Sequence, residues 1–321
     1  MSLLLRAVAL FALLCAGAAS PAVAAERYAV IVSGASGGGK YAVQQDEWRE
    51  ILVTALKVRF EVPDANVAVL DEASGGSSMA TADNVRRLLT DLRRRVTRDD
   101  TVLFVLLGHG TIDGADAKFN LVGPDLTAGE WQGMLDGLAG RLVVVNTTES
   151  SYPFIEQLSR RGRVVITATD SVAQRFATVF AGYFVRSLAD LSSDFDKNGR
   201  LSIWEAFTAA SAGVRQYYEQ RGQLSTERPL LDDDGDRVGT EAQSPGADGA
   251  IARAFYLDAT PGTLTGDAEL TALERQRDAL QRQLEELKGR RWLLMEEEYE
   301  AEVEKLLIQI ARITRRIRER S

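Results

Sequence analysis

The chain has one cysteine and one histidine in 321 residues, and the cysteine is expected to be lost on maturation. Cys15 lies in an N-terminal segment with the three parts of a secretory signal peptide. Arg6 is the only charge in residues 1–25, residues 7–17 form an apolar core too short to span a bilayer comfortably, and Ala22-Val-Ala-Ala25 offers small residues for cleavage before Glu26. Leu14 before Cys15 argues against lipoprotein processing. The expected product, residues 26–321, is exported, to a periplasm or the extracellular medium, and has no thiol. Disulfides are thereby excluded, so the fold must be held by its own core. Positive charge is also scarce. Losing Arg6 takes the formal net charge from −8 to −9, which disfavours nucleic acid or an anionic membrane as a partner. No later segment reads as a membrane-spanning helix.

What is present is an alternation of strand and helix patterns over residues 27–190. Apolar runs at 28–33, 67–70, 101–107, 142–145 and 163–168 read as buried strands. Between them lie helical spacings at 44–60, after the cap residue Thr81, after the capping-box pair Thr127 and Glu130, near 153–160, and from about Ala173 to Leu191. Buried strands separated by helices predict a parallel sheet covered on both faces, a three-layer α/β sandwich. In such sheets, sites form beyond the carboxyl ends of the strands. His109, Thr148 and Asp170 all follow strand ends.

The residues at those ends carry a resemblance. Tyr28-Ala-Val-Ile-Val-Ser-Gly34 followed by Tyr41, Gln44 and Asp46, then His109-Gly110, Thr147-Thr148-Glu149-Ser150 and Thr167-Ala-Thr-Asp-Ser171 resemble, in order, the strand-end motifs of the legumain (asparaginyl endopeptidase) family. The resemblance covers roughly residues 28–190 and implies a caspase-like fold. It implies that His109 is the ancestral general base and that Thr148 stands at the nucleophile position, where the family has cysteine. It further implies an oxyanion hole from the Gly110 and Thr148 amides, and a peptide-binding pocket bordered by Asp170 and Ser171. The chemistry departs from the family. A threonine hydroxyl needs a strong, oriented base, and known threonine nucleophiles use their own terminal amine, which an internal residue lacks. The expectation is an inactive peptidase homologue binding peptide or protein. Two alternatives stand beside it: an active hydrolase using Thr148 or Ser150 with His109, and a structural envelope module acting through its tail.

Two further features lie in residues 191–321. Asp194-Phe-Asp-Lys-Asn-Gly-Arg-Leu-Ser-Ile-Trp-Glu205 matches the twelve-residue EF-hand loop, with Asp194, Asp196, Asn198, the Arg200 carbonyl, Ser202 and Glu205 as calcium ligands and Gly199 at the sharp turn. Asp232-Asp-Asp-Gly-Asp236 repeats the acidic theme but has Gln243 where the closing acid belongs, so by spacing it is not a second such loop and reads equally as an irregular metal site or a solvated turn. Residues 191–260 are read as a calcium-loop segment completing the 26–190 domain. After the linker-like residues 259–263 comes a proline-free tail, 264–321. One heptad register runs Leu270, Leu273, Arg277, Leu280, Leu284, Leu287, Arg291 and Leu294. A second runs Tyr299, Val303, Leu306, Ile310, Ile313 and Ile317, after a five-residue step. That pattern is read as two helices folded back as a hairpin or coiled coil, with one long helix with a phase slip as the alternative, and suits oligomerisation or partner docking.

Overall fold

The computed structural model describes residues 25–114, 116–244, 246–258, 268–289, 291 and 294–320. The expected signal peptide, save Ala25, and the linker-like residues 259–263 lie outside them.

The strands are β1 (Arg27–Ser33), β2 (Val67–Leu70), β3 (Thr101–Leu107), β4 (Gly110–Asp113), β5 (Asp116–Phe119), β6 (Leu126–Thr127), β7 (Arg141–Asn146), β8 (Val164–Thr167) and β9 (Leu230–Asp232). A six-stranded sheet runs β2-β1-β3-β7-β8-β9, with β4-β5-β6 as a small second sheet. The register explains the unbroken apolar runs. Val30, Phe104, Val144 and Val165 pair across the sheet, as do their neighbours Ile31, Val105, Val145 and Ile166. Alternate residues point to opposite faces, so both rows are buried only because both faces are covered. The first row packs with α2 (Ala82–Arg95), α3 (Ala128–Leu135) and α4 (Tyr152–Leu158) through Leu89, Trp131 and Phe154. The second packs with α1 (Gly39–Thr54), α5 (Phe180–Ala189) and α6 (Ile203–Glu219) through Leu52, Phe184 and Phe207. The fold is therefore a three-layer α/β arrangement around a mostly parallel sheet. Residues 191–258 belong to it, since they supply α6 and β9.

Two expectations need correction, and an antiparallel β4-β5 ribbon that no expectation covered follows His109. The sheet is not wholly parallel, because β9 joins β8 antiparallel. The helix expected from Ala173 begins only at Phe180, because Glu227, 47 residues away, accepts the Val179 and Phe180 amides at 2.9 and 3.1 Å. That carboxylate sets the helix start as an N-cap would, and apolar spacing carries no trace of it.

After the short α7 (Ala250–Arg253) come α8 (Ala268–Gly289) and α9 (Glu296–Arg318). They pack antiparallel. Arg316 and Arg320 near the end of α9 pair with Glu269 at the start of α8, at 3.6 and 2.8 Å. Leu270, Leu273, Leu280, Leu284 and Leu287 share one apolar cluster with Leu306, Ile313 and Ile317. The five-residue step in the pattern falls where the chain turns, with Met295 extended ahead of α9. No helix among the described residues is long and apolar enough to cross a membrane.

Candidate functional site

The strand ends bring His109 and Thr148 to one rim, as β3 stops at Leu107 and its neighbour β7 at Asn146. His109 is oriented on two sides. Its Nδ1 lies 3.2 Å from Glu149 Oε1, and its ring meets Tyr41 edge-on at 4.7 Å between centroids. The hydrogen bond to Glu149 raises the imidazole pKa above its ordinary value, against the opposing effect of burial. A carboxylate on Nδ1 holds the proton there and leaves Nε2 as the basic nitrogen. Glu149 is the residue that motif reading missed. It directly follows Thr148, so the one available signal was its adjacency to that residue.

Thr148 is fully buried, at 0 % exposure. A Cβ on Gly110 would lie 2.7 Å from Thr148 Oγ1 and 3.0 Å from the Lys118 carbonyl oxygen, so glycine at 110 lets β4 close over the hydroxyl. Neither Thr148 Oγ1 nor His109 Nε2 has a hydrogen-bond partner among the described residues, so the two are not bonded to each other. Asn146 Nδ2 and Glu149 Oε2 are likewise buried without partners. The Thr148 amide, which the resemblance places in an oxyanion hole, donates to Asn146 Oδ1 at 3.0 Å. Ser151 is spent on structure, with Oγ accepting from the Ala168 amide and bonding Thr169 Oγ1. Asp170 and Ser171 sit just past β8. Asp170 pairs with Arg228 at 3.7 Å, and Ser171 Oγ accepts the Ala173 amide.

A separate site forms at Asp194–Glu205. Ser202 and Glu205 make a reciprocal capping box that starts α6. Glu205 Oε1 also accepts the amides of Phe195 and Asp196 at 2.9 and 3.4 Å. Asp194 accepts from Asn198 and Gly199, Asp196 Oδ1 from Asn198, and Asn198 Oδ1 from Arg200. Lys197 and Gly199 take positive φ, 56° and 82°, which wraps the backbone around the acids. Oxygens of Asp194, Asp196 and Glu205 all lie within 4.8 Å of one another, close enough to hold a metal ion. Burial and the nearby Glu205 charge push the Asp196 carboxyl up to about 6.

The Asp232 turn has the same build, which spacing alone concealed. Its fourth and sixth residues, Gly235 and Arg237, take φ of 84° and 71°. Asp232 Oδ2 accepts from Arg237, Asp234 Oδ1 from Asp236, and Asp236 Oδ1 from Val238. Asp248 replaces Glu205, its Oδ1 accepting the amides of the second and third residues, Asp233 and Asp234. Asp232, Asp234 and Asp248 form a second cluster that could hold a metal ion. Burial drives the Asp248 carboxyl up to about 7.

No family model and no curated protein matches the chain. Among solved structures the chain is similar to the crystal structure of protein GSU0716 from Geobacter sulfurreducens, at 14% identity and a TM-score of 0.41, covering 64% of this chain and 92% of that one. A likeness that distant carries no argument about chemistry.

Proposed function

We propose that the protein is an exported, calcium-binding homologue of legumain-type peptidases that has lost catalysis and binds a peptide or protein partner. The observation that carries this is Thr148. By the resemblance this residue takes the family's nucleophile position, yet the hydroxyl is buried and makes no hydrogen bond to His109. A nucleophile must reach both its base and its substrate, and this hydroxyl is neither bonded to His109 nor exposed. The Thr148 amide, engaged by Asn146, is withdrawn from oxyanion duty as well. Export follows from the reading of residues 1–25, and caspase-like topology from the order of the strand-end motifs.

Calcium is the proposed ion at Asp194–Glu205. The donor set is entirely hard oxygen, from the Asp194, Asp196 and Glu205 carboxylates, Asn198 Oδ1 and the Arg200 carbonyl, which suits calcium. Each carboxylate oxygen that already accepts an N–H keeps a lone pair for an ion. In the fold, the ion would pin the segment joining α5 to α6.

The hydrolase alternative has one observation in its favour: the His109–Glu149 pair is how a general base is oriented. Purified protein with calcium, assayed on peptides cleaved after asparagine, aspartate or basic residues, separates the two. No turnover supports the binding role. Turnover that disappears in both His109→Ala and Thr148→Ala would establish the hydrolase.

A further inference from the structure

Where the C-terminal helix pair meets the α/β domain, the interface is not packed as a core. A cavity of about 690 Å³ lies between them. Native interiors leave few voids, and this one has the size of a small-molecule site. It sits at the opposite end of the sheet from His109. Arg27, Thr101 and Arg141 line it, and these three pair in register at the starts of β1, β3 and β7. On the helix side, α8 supplies Gln281, Leu284 and Lys288, and α9 supplies Leu307, Ile310 and Thr314. Both rows repeat at i, i+3 and i+7, so each follows one helix face for about 10 Å. The cavity is therefore a trough along the pair, with Leu284, Leu307 and Ile310 as its aliphatic surface. Large apolar side chains on both walls stay uncovered, Leu307 at 49 % exposure and Phe195 of the domain at 54 %.

The domain wall is aromatic and cationic. Arg200 stacks on Tyr256 at 3.9 Å and Arg253 on Trp204 at 4.0 Å. Stacking fixes the plane of a guanidinium, the group that best matches a carboxylate. With Arg27, Arg141, Lys197 and Lys288, six bases line the trough against four acids, Asp99, Asp196, Glu205 and Asp258. The whole chain has the reverse balance, 38 to 46. Two of the acids are turned to backbone amides, Glu205 to those of Phe195 and Asp196, and Asp258 to that of Leu201.

We propose that this trough binds an acyl-chain carboxylate, with the chain along Leu284, Leu307 and Ile310 and the carboxylate against the wall of Lys197, Arg200 and Arg253. The elongated aliphatic surface suits a hydrocarbon chain, and the surplus of bases selects an anion. No ion in the Asp194–Glu205 turn is required, and the reading of the His109 rim is not involved.

The test titrates decanoate into the full mature chain by calorimetry in calcium-free buffer. One decanoate per chain is expected to bind, with decanol, which has the same chain and no charge, about tenfold weaker. Leu307→Gln should weaken decanoate about tenfold, and Lys197→Glu about fivefold. Both side chains are exposed, so ligand-free melting temperatures should match the wild type. Ile308 is exposed on the same helix but does not line the trough, so Ile308→Gln should bind decanoate as the wild type does. Absence of decanoate binding, equal binding of decanol, or a loss caused by Ile308→Gln and not by Leu307→Gln would overturn the proposal. Decyl phosphate binding more tightly than decanoate would overturn the choice of carboxylate.

Discussion

Replacing Glu149 with glutamine tests whether the rim histidine is held as a charged, oriented base. The substitution keeps shape and removes one charge. At 3.2 Å and an effective dielectric near 20, the gross attraction between imidazolium and carboxylate is roughly 5 kcal/mol. Burial of both side chains, 17 % and 12 % exposed, offsets most of it. Hydrogen bonds to charged groups retain about 1.5–3 kcal/mol net, and the lower end applies because Glu149 uses only Oε1. The sign follows from the raised imidazole pKa. The folded state holds the proton more tightly than the unfolded one, so the contribution is complete below the unfolded value of about 6.5 and is lost as pH rises through the folded value. Glu149→Gln is therefore expected to cost about 1.5 kcal/mol at pH 5.5 and much less at pH 8.5, read by denaturant unfolding at both. Because the chain has one histidine, an NMR titration of its imidazole is unambiguous and should move to lower pH in the variant. An unchanged titration, or a loss of stability independent of pH, would refute the pairing.

Calcium should raise the melting temperature by mass action, and Glu205→Gln should remove most of that rise in a thermal melt. Binding should weaken as pH falls below about 6, where Asp196 takes up a proton. In chelator, the raised Asp248 pKa has the opposite consequence. The folded state binds the extra proton between about pH 4 and pH 7, so the metal-free protein loses stability as pH rises through that window, by roughly 4 kcal/mol at most, and Asp248→Asn should flatten the slope. Gly110→Ala forces a methyl against Thr148 Oγ1 and the Lys118 carbonyl and should cost about 1–3 kcal/mol in equilibrium unfolding.

By itself the sequence determined the layer architecture and the strand ends. Runs such as Val102–Leu107 and Leu142–Val145 can be buried only in a sheet covered on both faces, and the covering helices announce themselves by period and by caps such as Thr127 with Glu130. The Asp194–Glu205 turn was legible for the same reason: the three acids that could hold a metal ion, Asp194, Asp196 and Glu205, lie within twelve consecutive residues, so spacing is geometry. Tertiary structure alone decided what depends on residues far apart in the chain. The start of α5 is set by Glu227, 47 residues beyond Phe180, and Asp248 closes the Asp232 turn from 15 residues past Asp233. His109 finds Glu149 across 40 residues. The hairpin of α8 and α9 was read from the five-residue step, and the structure shows which seam residues of the two helices bury together. A side chain's partner across a fold leaves no period and no spacing to read, because the distance that matters is through space and is settled only when the sheet brings the strand ends together.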